Sequence, residues 1–217
     1  MDIELARANM IESQIRTWDV LDQRVLDAVG AIRREDFVPP AYRDLAFADL
    51  DIPLGHGQVM LPPKLEARFV QELAIAPGDR VLEIGTGSGF QAALLGRLCS
   101  QVVSVEIIPE FAEAARARLA RLSVTNVTVE AGDGADGWAK NAPYDAILLT
   151  GSVPVLPESI QRQLAVGGRL LAVVGSAPIM TAQLVTCVAA GVYRTEGLFE
   201  TSIAPLQHAR GPGRFVF

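Results

Sequence analysis

The stretch VLEIGTGSGF, residues 81–90, decides how the rest of the chain is read: an apolar run of strand character opens directly into three glycines within five positions. Glycines between a strand and a helix let the backbone approach a ligand and turn free N–H groups towards it. A dinucleotide loop has the form G-x-G-x-x-G. Here Gly85, Gly87 and Gly89 alternate with Thr86 and Ser88, and an acid, Glu83, precedes them. A third glycine one residue early, with a carboxylate upstream, suits a ligand without a pyrophosphate. No Gly-Lys-Ser/Thr follows, which argues against a nucleotide triphosphatase.

From residue 64 onward, helical and strand-like segments alternate: KLEARFVQEL, RVLEI, FQAALLGRL, VVSVE, EFAEAARARLARL, VTVEA, DAILLT, PESIQRQL and GRLLAVVG. Apolar strands separated by helices of this length predict an α/β fold, a parallel sheet with helices on both faces. After residue 176 the pieces TAQLVTCVAA and VYRTEGLFETSI carry no helix between them and predict antiparallel edge strands. The first forty residues have helical spacing. Asp19 and Asp22 are expected to supply an N-cap and an acid in the first turn of the second helix, and Pro39 and Pro40 to close the section. Residues 41–63 read as an irregular loop. The chain is expected to form one domain, 1–217, with a helical N-terminal extension and loop over 1–63 and a core over 64–217.

Half of the 217 residues are hydrophobic and the net charge is −6, a soluble composition without the basic excess of a general nucleic-acid binder. No segment reads as membrane-spanning and no signal peptide is visible, so a cytoplasmic protein is expected. Cys99 and Cys187 lie in apolar surroundings without metal-ligand spacing and are expected to be buried free thiols; no metal is expected.

Three further positions support the glycine loop. Glu106 ends the second strand of the unit, 17 residues beyond Gly89, where a carboxylate can accept hydrogen bonds from two ribose hydroxyls. Asp133, with Gly134, follows the third strand and can accept from an adenine amino group. Thr150 and Gly151 end the fourth strand at the same edge, where open α/β sheets bind ligands. Together these resemble the S-adenosylmethionine-dependent methyltransferases, with ExGxGxG, an acid after the second strand, and GD after the third. The cofactor implied is S-adenosyl-L-methionine, held by Glu83, Gly85, Thr86, Gly87, Gly89, Glu106, Asp133, Gly134 and Thr150.

The likeness extends further. REDFVPPAYRDLAFADLDIPLGHGQ, PGDRVLEIGTGSGFQAALL, GDGADGWAKNAPYDAILLT and QLAVGGRLLAVVG are similar, in order and spacing, to the protein-L-isoaspartate O-methyltransferase family. The resemblance implies a Rossmann-like methyltransferase sheet with a modified strand order near the C-terminus. It also implies methyl transfer to the carboxylate of L-isoaspartyl residues in damaged proteins, so the partner expected is an isoaspartyl protein or peptide.

One loop departs from that family. Its pattern G-Q-T-I-S-x-P reads Gly57-Gln58-Val59-Met60-Leu61-Pro62-Pro63 here, so the active-site serine falls on Leu61 and the preceding threonine on Val59. Gln58 keeps the family residue. Carboxylate methylation needs no general base, because a carboxylate is already ionised at neutral pH; the serine's role would be to position the acceptor. Two alternatives follow from the hydrocarbon loop: a more apolar acceptor, or a protein that binds the cofactor without transferring methyl. His56 and His208 are weaker candidates near the acceptor. Trp138 is expected to cover apolar surface near the adenine pocket, and Arg33 and Arg34 to be surface or ion-pair residues.

Overall fold

The computed structural model describes residues 2–211; the two ends of the expected 1–217 domain lie outside the described residues. The chain begins with α1 (Ile3–Met10), capped by Asp2, whose carboxylate accepts from the Leu5 amide at 3.1 Å. A π-turn and a 3₁₀ turn carry it on to Trp18. The cap of α2 (Gln23–Ala31) is Asp22, which accepts from the Arg24 amide at 2.8 Å, whereas Asp19 sits in the left-handed region at φ 59°. Asp19 therefore closes the preceding turn and does not open the helix.

The stretch expected to be irregular contains a hairpin. β1 (Ile52–Gly55) pairs antiparallel with β2 (Gln58–Met60) across His56 and Gly57, both at positive φ. Two such residues give the turn a twist that matches the right-handed twist of the strands. The hairpin was hidden because its strands are too short for period-two alternation to stand out.

The core follows as α3 (Pro63–Leu73), β3 (Arg80–Ile84), α4 (Phe90–Gly96), β4 (Gln101–Glu106), α5 (Pro109–Arg121), β5 (Val127–Ala131), β6 (Tyr144–Leu149), α6 (Glu158–Gln161), β7 (Leu164–Ser176), β8 (Ile179–Ala189) and β9 (Val192–Glu200). The seven strands are ordered β5-β4-β3-β6-β7-β8-β9. The first five are parallel and the last two antiparallel, in a simple chain-order meander. Both strands are antiparallel as the sequence predicts, though only β9 lies at an edge and β8 sits between β7 and β9, and the α/β class is also as predicted.

The two faces of the sheet are covered unequally. One bears α3, α4, α5 and the N-terminal helices, whose Leu26, Phe69, Phe90, Leu94 and Ala115 join Val81 and Val102 in a single buried cluster. The other carries a smaller cluster around Leu82, Ile84, Val103 and Tyr144, closed by Ile160 of α6 and by Trp138. Because β4 lies on one side of β3 and β6 on the other, the strand order reverses at β3. A crevice opens there outside the carboxyl ends of the strands.

Candidate active site

Each wall of this crevice is built by one strand mouth. Beyond Ile84 the chain turns through Gly85, Gly87 and Gly89, with φ of 99°, 50° and 85°. At Gly85 a side chain would be strained by that φ, and its Cβ would collide with the Thr150 hydroxyl. That hydroxyl lies within hydrogen-bond reach of the Ile84 and Gly85 carbonyls, at 2.9 and 2.7 Å, and ties the mouth of β6 to the loop. At Gly134 a Cβ would sit 2.7 Å from Ile84 Cγ2, so glycine lets the mouth of β5 close against β3.

Glu106 is 4% exposed. Its Oε2 accepts from the Gly87 amide at 2.7 Å and its Oε1 from the Ile108 amide at 2.9 Å. Each oxygen keeps a lone pair, so the carboxylate is fixed in direction and can still accept from a diol. Asp133 Oδ1 accepts from the Ala135 amide at 2.9 Å, and Oδ2 lies 2.7 Å from His208 Nδ1. The Ala135 amide and His208 hold the Asp133 carboxyl below the usual carboxylate range.

The structure brings Gln58, Leu61, Gly85, Gly87, Glu106, Asp133, Gly134 and Thr150 to the lining of one cleft. Ala204 to Gln207 of the C-terminal segment form its outer wall. Glu83, Thr86 and Gly89 do not line it. Gly89 caps α4 beneath the loop. Glu83 is fully buried, and its pKa is pushed up to about 8, first by burial and further by Glu106 and Glu66, against a hydrogen bond from the Ser104 hydroxyl. Thr86 Oγ1 lies 2.5 Å from Ser104 Oγ. Glu83, Ser104 and Thr86 thus form a hydrogen-bonded chain under the glycines.

Met60 is buried in the core cluster, so Val59 and Leu61 alone of the three hydrocarbon residues line the cleft. His56 sits at the hairpin turn with its ring edge-on to Phe111, and lies outside the lining. Trp138 packs over Gly132, next to Asp133, again outside the lining.

Arg34, read from sequence as a surface or ion-pair residue, is 1% exposed. It donates to the Ala46 carbonyl at 2.8 Å, to the Leu61 carbonyl at 2.6 Å and to the Glu66 carboxylate, and it lies over the Phe90 ring at 4.7 Å. It therefore anchors the acceptor loop from below. Glu66 is buried, and desolvation raises its pKa to about 7 in spite of Arg34. Neither residue carries a local sequence signal, since their partners lie 12 to 32 positions away.

Both cysteines are buried and free. Among the described residues no group of three or more His, Cys, Asp or Glu could hold a metal ion, and no helix is long and apolar enough to cross a membrane.

The chain as a whole is similar to known proteins. The family model for Protein-L-isoaspartate(D-aspartate) O-methyltransferase (PCMT) matches residues 6–206. A protein-L-isoaspartate O-methyltransferase of Koribacter versatilis is 43% identical over 192 residues, covering 88% of this chain and 86% of the relative. A solved protein-L-isoaspartate O-methyltransferase superposes with a TM-score of 0.81 at 28% identity, over 94% of this chain and 67% of that one. A Plasmodium falciparum structure in complex with S-adenosyl-L-homocysteine has a TM-score of 0.80 over 95% of this chain and 99% of that one. At 16% identity, that likeness speaks for the fold.

Proposed function

This chain belongs to the protein-L-isoaspartate O-methyltransferase family, and we infer from that membership and from the cleft that it methylates the carboxylate of L-isoaspartyl residues in damaged proteins. S-adenosyl-L-methionine is its cofactor, supplying when bound a methyl group already activated by a sulfonium. The residues present fit that molecule: a fixed Glu106 with free lone pairs, an aspartate at the next strand mouth, and glycines where a Cβ would close the space. The observation that carries the reading is the convergence of three strand mouths on this one cleft.

Within it, Glu106 would hold the ribose hydroxyls, and Asp133 with Gly134 the adenine edge. Gly85, Gly87 and Thr150 would bound the path to the methyl end. The acceptor enters past Gln58 and Leu61. Its carboxylate, with a solution pKa of about 4, arrives ionised, so no residue has to take a proton from it. What this chain contributes is alignment and exclusion of water. With no hydroxyl at position 61, Gln58 is the polar side chain of the acceptor loop that lines the cleft, and we assign it the positioning of the acceptor. Arg34 acts one step removed, by fixing the Leu61 carbonyl.

Neither a more apolar acceptor nor a non-catalytic binder is favoured, because the relatives share one activity name. We read 1–63 and 64–217 as one working unit, since a single buried cluster runs through both parts. Two buried thiols suit the reducing cytoplasm. The test is incubation with labelled S-adenosylmethionine and an isoaspartyl peptide beside its aspartyl counterpart, trapping the methanol released from the labile ester. Methanol from the isoaspartyl peptide alone is the expected result; equal signals from both peptides would exclude this acceptor.

A further inference from the structure

Apart from the cleft, an open groove runs between the C-terminal half of α5 and the 3₁₀ turns at Arg34–Asp36 and Pro40–Leu45. Val38, Pro40, Ala114 and Ala117 give it small apolar walls, and Arg43, Arg118 and Arg121 line it as well. In a chain of net charge −6 this is a local concentration of cations. The acids nearby are already shared. Glu35 pairs with Arg7 and Arg33 at 2.8 and 3.3 Å, and Asp36 with Arg33 and Arg43 at 3.5 Å each. Among the described residues no carboxylate forms an ion pair with Arg118 or Arg121; the side-chain contacts of Arg118 are the Ser88 carbonyl and the Phe37 ring.

The α5 dipole does not account for this pair. A helix C-terminus carries the equivalent of about half a negative charge, and each arginine brings a full positive one. Burial first, and repulsion from Arg121 second, lower the pKa of Arg118 against the attraction of Asp36. Two guanidiniums that repel each other favour an anion between them. The spacing along the helix shows where such an anion would come from. Phe111, Ala114, Arg118 and Arg121 recur at intervals of three and four and so share one face of α5. Phe111 lines the cleft and packs against His56 at the hairpin turn, so this face leads from the cleft rim to the arginines.

We propose that the groove docks an acidic stretch of the same polypeptide whose isoaspartyl residue occupies the cleft, so that damage sites flanked by acids are preferred. The inference rests on the isoaspartyl reading and adds a preference that the cleft alone does not supply. At 1.5 Å per residue of helix, Arg118 and Arg121 lie about 10 and 15 Å along α5 from Phe111. An extended chain advances about 3.3 Å per residue, so the acids fall about three to five residues from the isoaspartyl residue. The small side chains of Ala114 and Ala117 leave room for an extended backbone beside the guanidiniums. A nucleic acid fits less well, because beyond this groove its phosphates would meet a chain of net charge −6.

Methylation kinetics on a peptide series test this. One isoaspartyl core is extended, on its N-terminal or its C-terminal side, by three glutamates, three glutamines or three lysines at the third to fifth positions from the isoaspartyl residue. With the wild-type protein at low salt, the glutamate tail on one side is expected to have kcat/KM about tenfold above its lysine counterpart, the size that three exposed ion pairs reach together. The difference should lie in KM, with kcat unchanged, and shrink as salt is added. Arg43→Glu with Arg121→Glu should invert the order of the tails. Equal kcat/KM for all three tails on both sides of the core, or a lysine preference, overturns the proposal from wild-type data alone, whether or not the variant folds. A single-stranded oligonucleotide that inhibits at lower concentration than a glutamate oligomer of equal charge also overturns it. The unextended core separates the two readings: if it is methylated while the tails make no difference, only the docking groove is lost. If no peptide accepts methyl, the isoaspartyl reading fails and takes the groove with it.

Discussion

Replacing Arg34 by Met removes the guanidinium that donates to the Ala46 and Leu61 carbonyls at 2.8 and 2.6 Å and that pairs with Glu66. Each buried carbonyl left without its donor costs about 1–3 kcal/mol. The share due to Glu66 depends on pH. In the wild type its carboxyl titrates at about 7 in the folded chain, well above the unfolded value of about 4.3. Below pH 7 the folded protein holds a proton there with or without Arg34, so losing the arginine changes little at this site. Above pH 7 the wild-type carboxyl ionises against Arg34, whereas in the variant, with no counter-charge, it must stay protonated. The extra destabilisation then grows by about 1.4 kcal/mol per pH unit until the variant's carboxyl ionises too.

Urea unfolding should therefore show Arg34→Met weakened by about 2–5 kcal/mol at pH 6 and by roughly 2 kcal/mol more at pH 8.5, read from the midpoint at unchanged m. Adding Glu66→Gln should flatten the pH dependence and leave the carbonyl cost. A penalty equal at pH 6 and pH 8.5 would refute the argument, because it would mean that Glu66 does not depend on Arg34 for its charge. So would a loss below about 0.5 kcal/mol, the size of an ordinary surface change.

Glu83 is buried and titrates at about 8, so between roughly pH 4.5 and 8 the folded chain carries a proton that the unfolded chain has lost. Stability falls as pH rises through that window; Glu83→Gln should remove about 1.4 kcal/mol per pH unit of this slope, measured by thermal or urea unfolding. Gly134→Ala places a Cβ 2.7 Å from Ile84 Cγ2, and the forced shift of the Asp133 mouth should weaken S-adenosylhomocysteine by about tenfold or more in a calorimetric titration. Leu61→Ser should raise kcat/KM on an isoaspartyl peptide by about tenfold through a new hydrogen bond to the acceptor. The same change should lower stability by about 2 kcal/mol, since a buried leucine is truncated; an unchanged kcat/KM would leave the positioning to Gln58.

That these residues meet at one cleft was legible because each of them is local. Gly85, Gly87, Glu106, Asp133 and Gly134 each stand within a few residues of a strand end, and a parallel sheet brings its strand ends to one edge. The side of the strand on which a residue falls was harder to read. Glu83 follows a strand alternation that points it beneath the loop, into a chain with Ser104 and Thr86.

The sequence by itself determined the α/β sheet, the edge it uses, the family, and the departure at Leu61, because strand and helix periods and a glycine loop are written in neighbouring residues. Tertiary structure alone decided what supports the acceptor loop. Arg34, Glu66 and Gln91 are bound together across 25 to 32 positions of chain. Burial converts three unremarkable polar residues into an anchor, a carboxyl that titrates near neutrality and an oxygen with no donor. Desolvation is a property of the packed neighbours around a group, and no short stretch of sequence records who those neighbours will be.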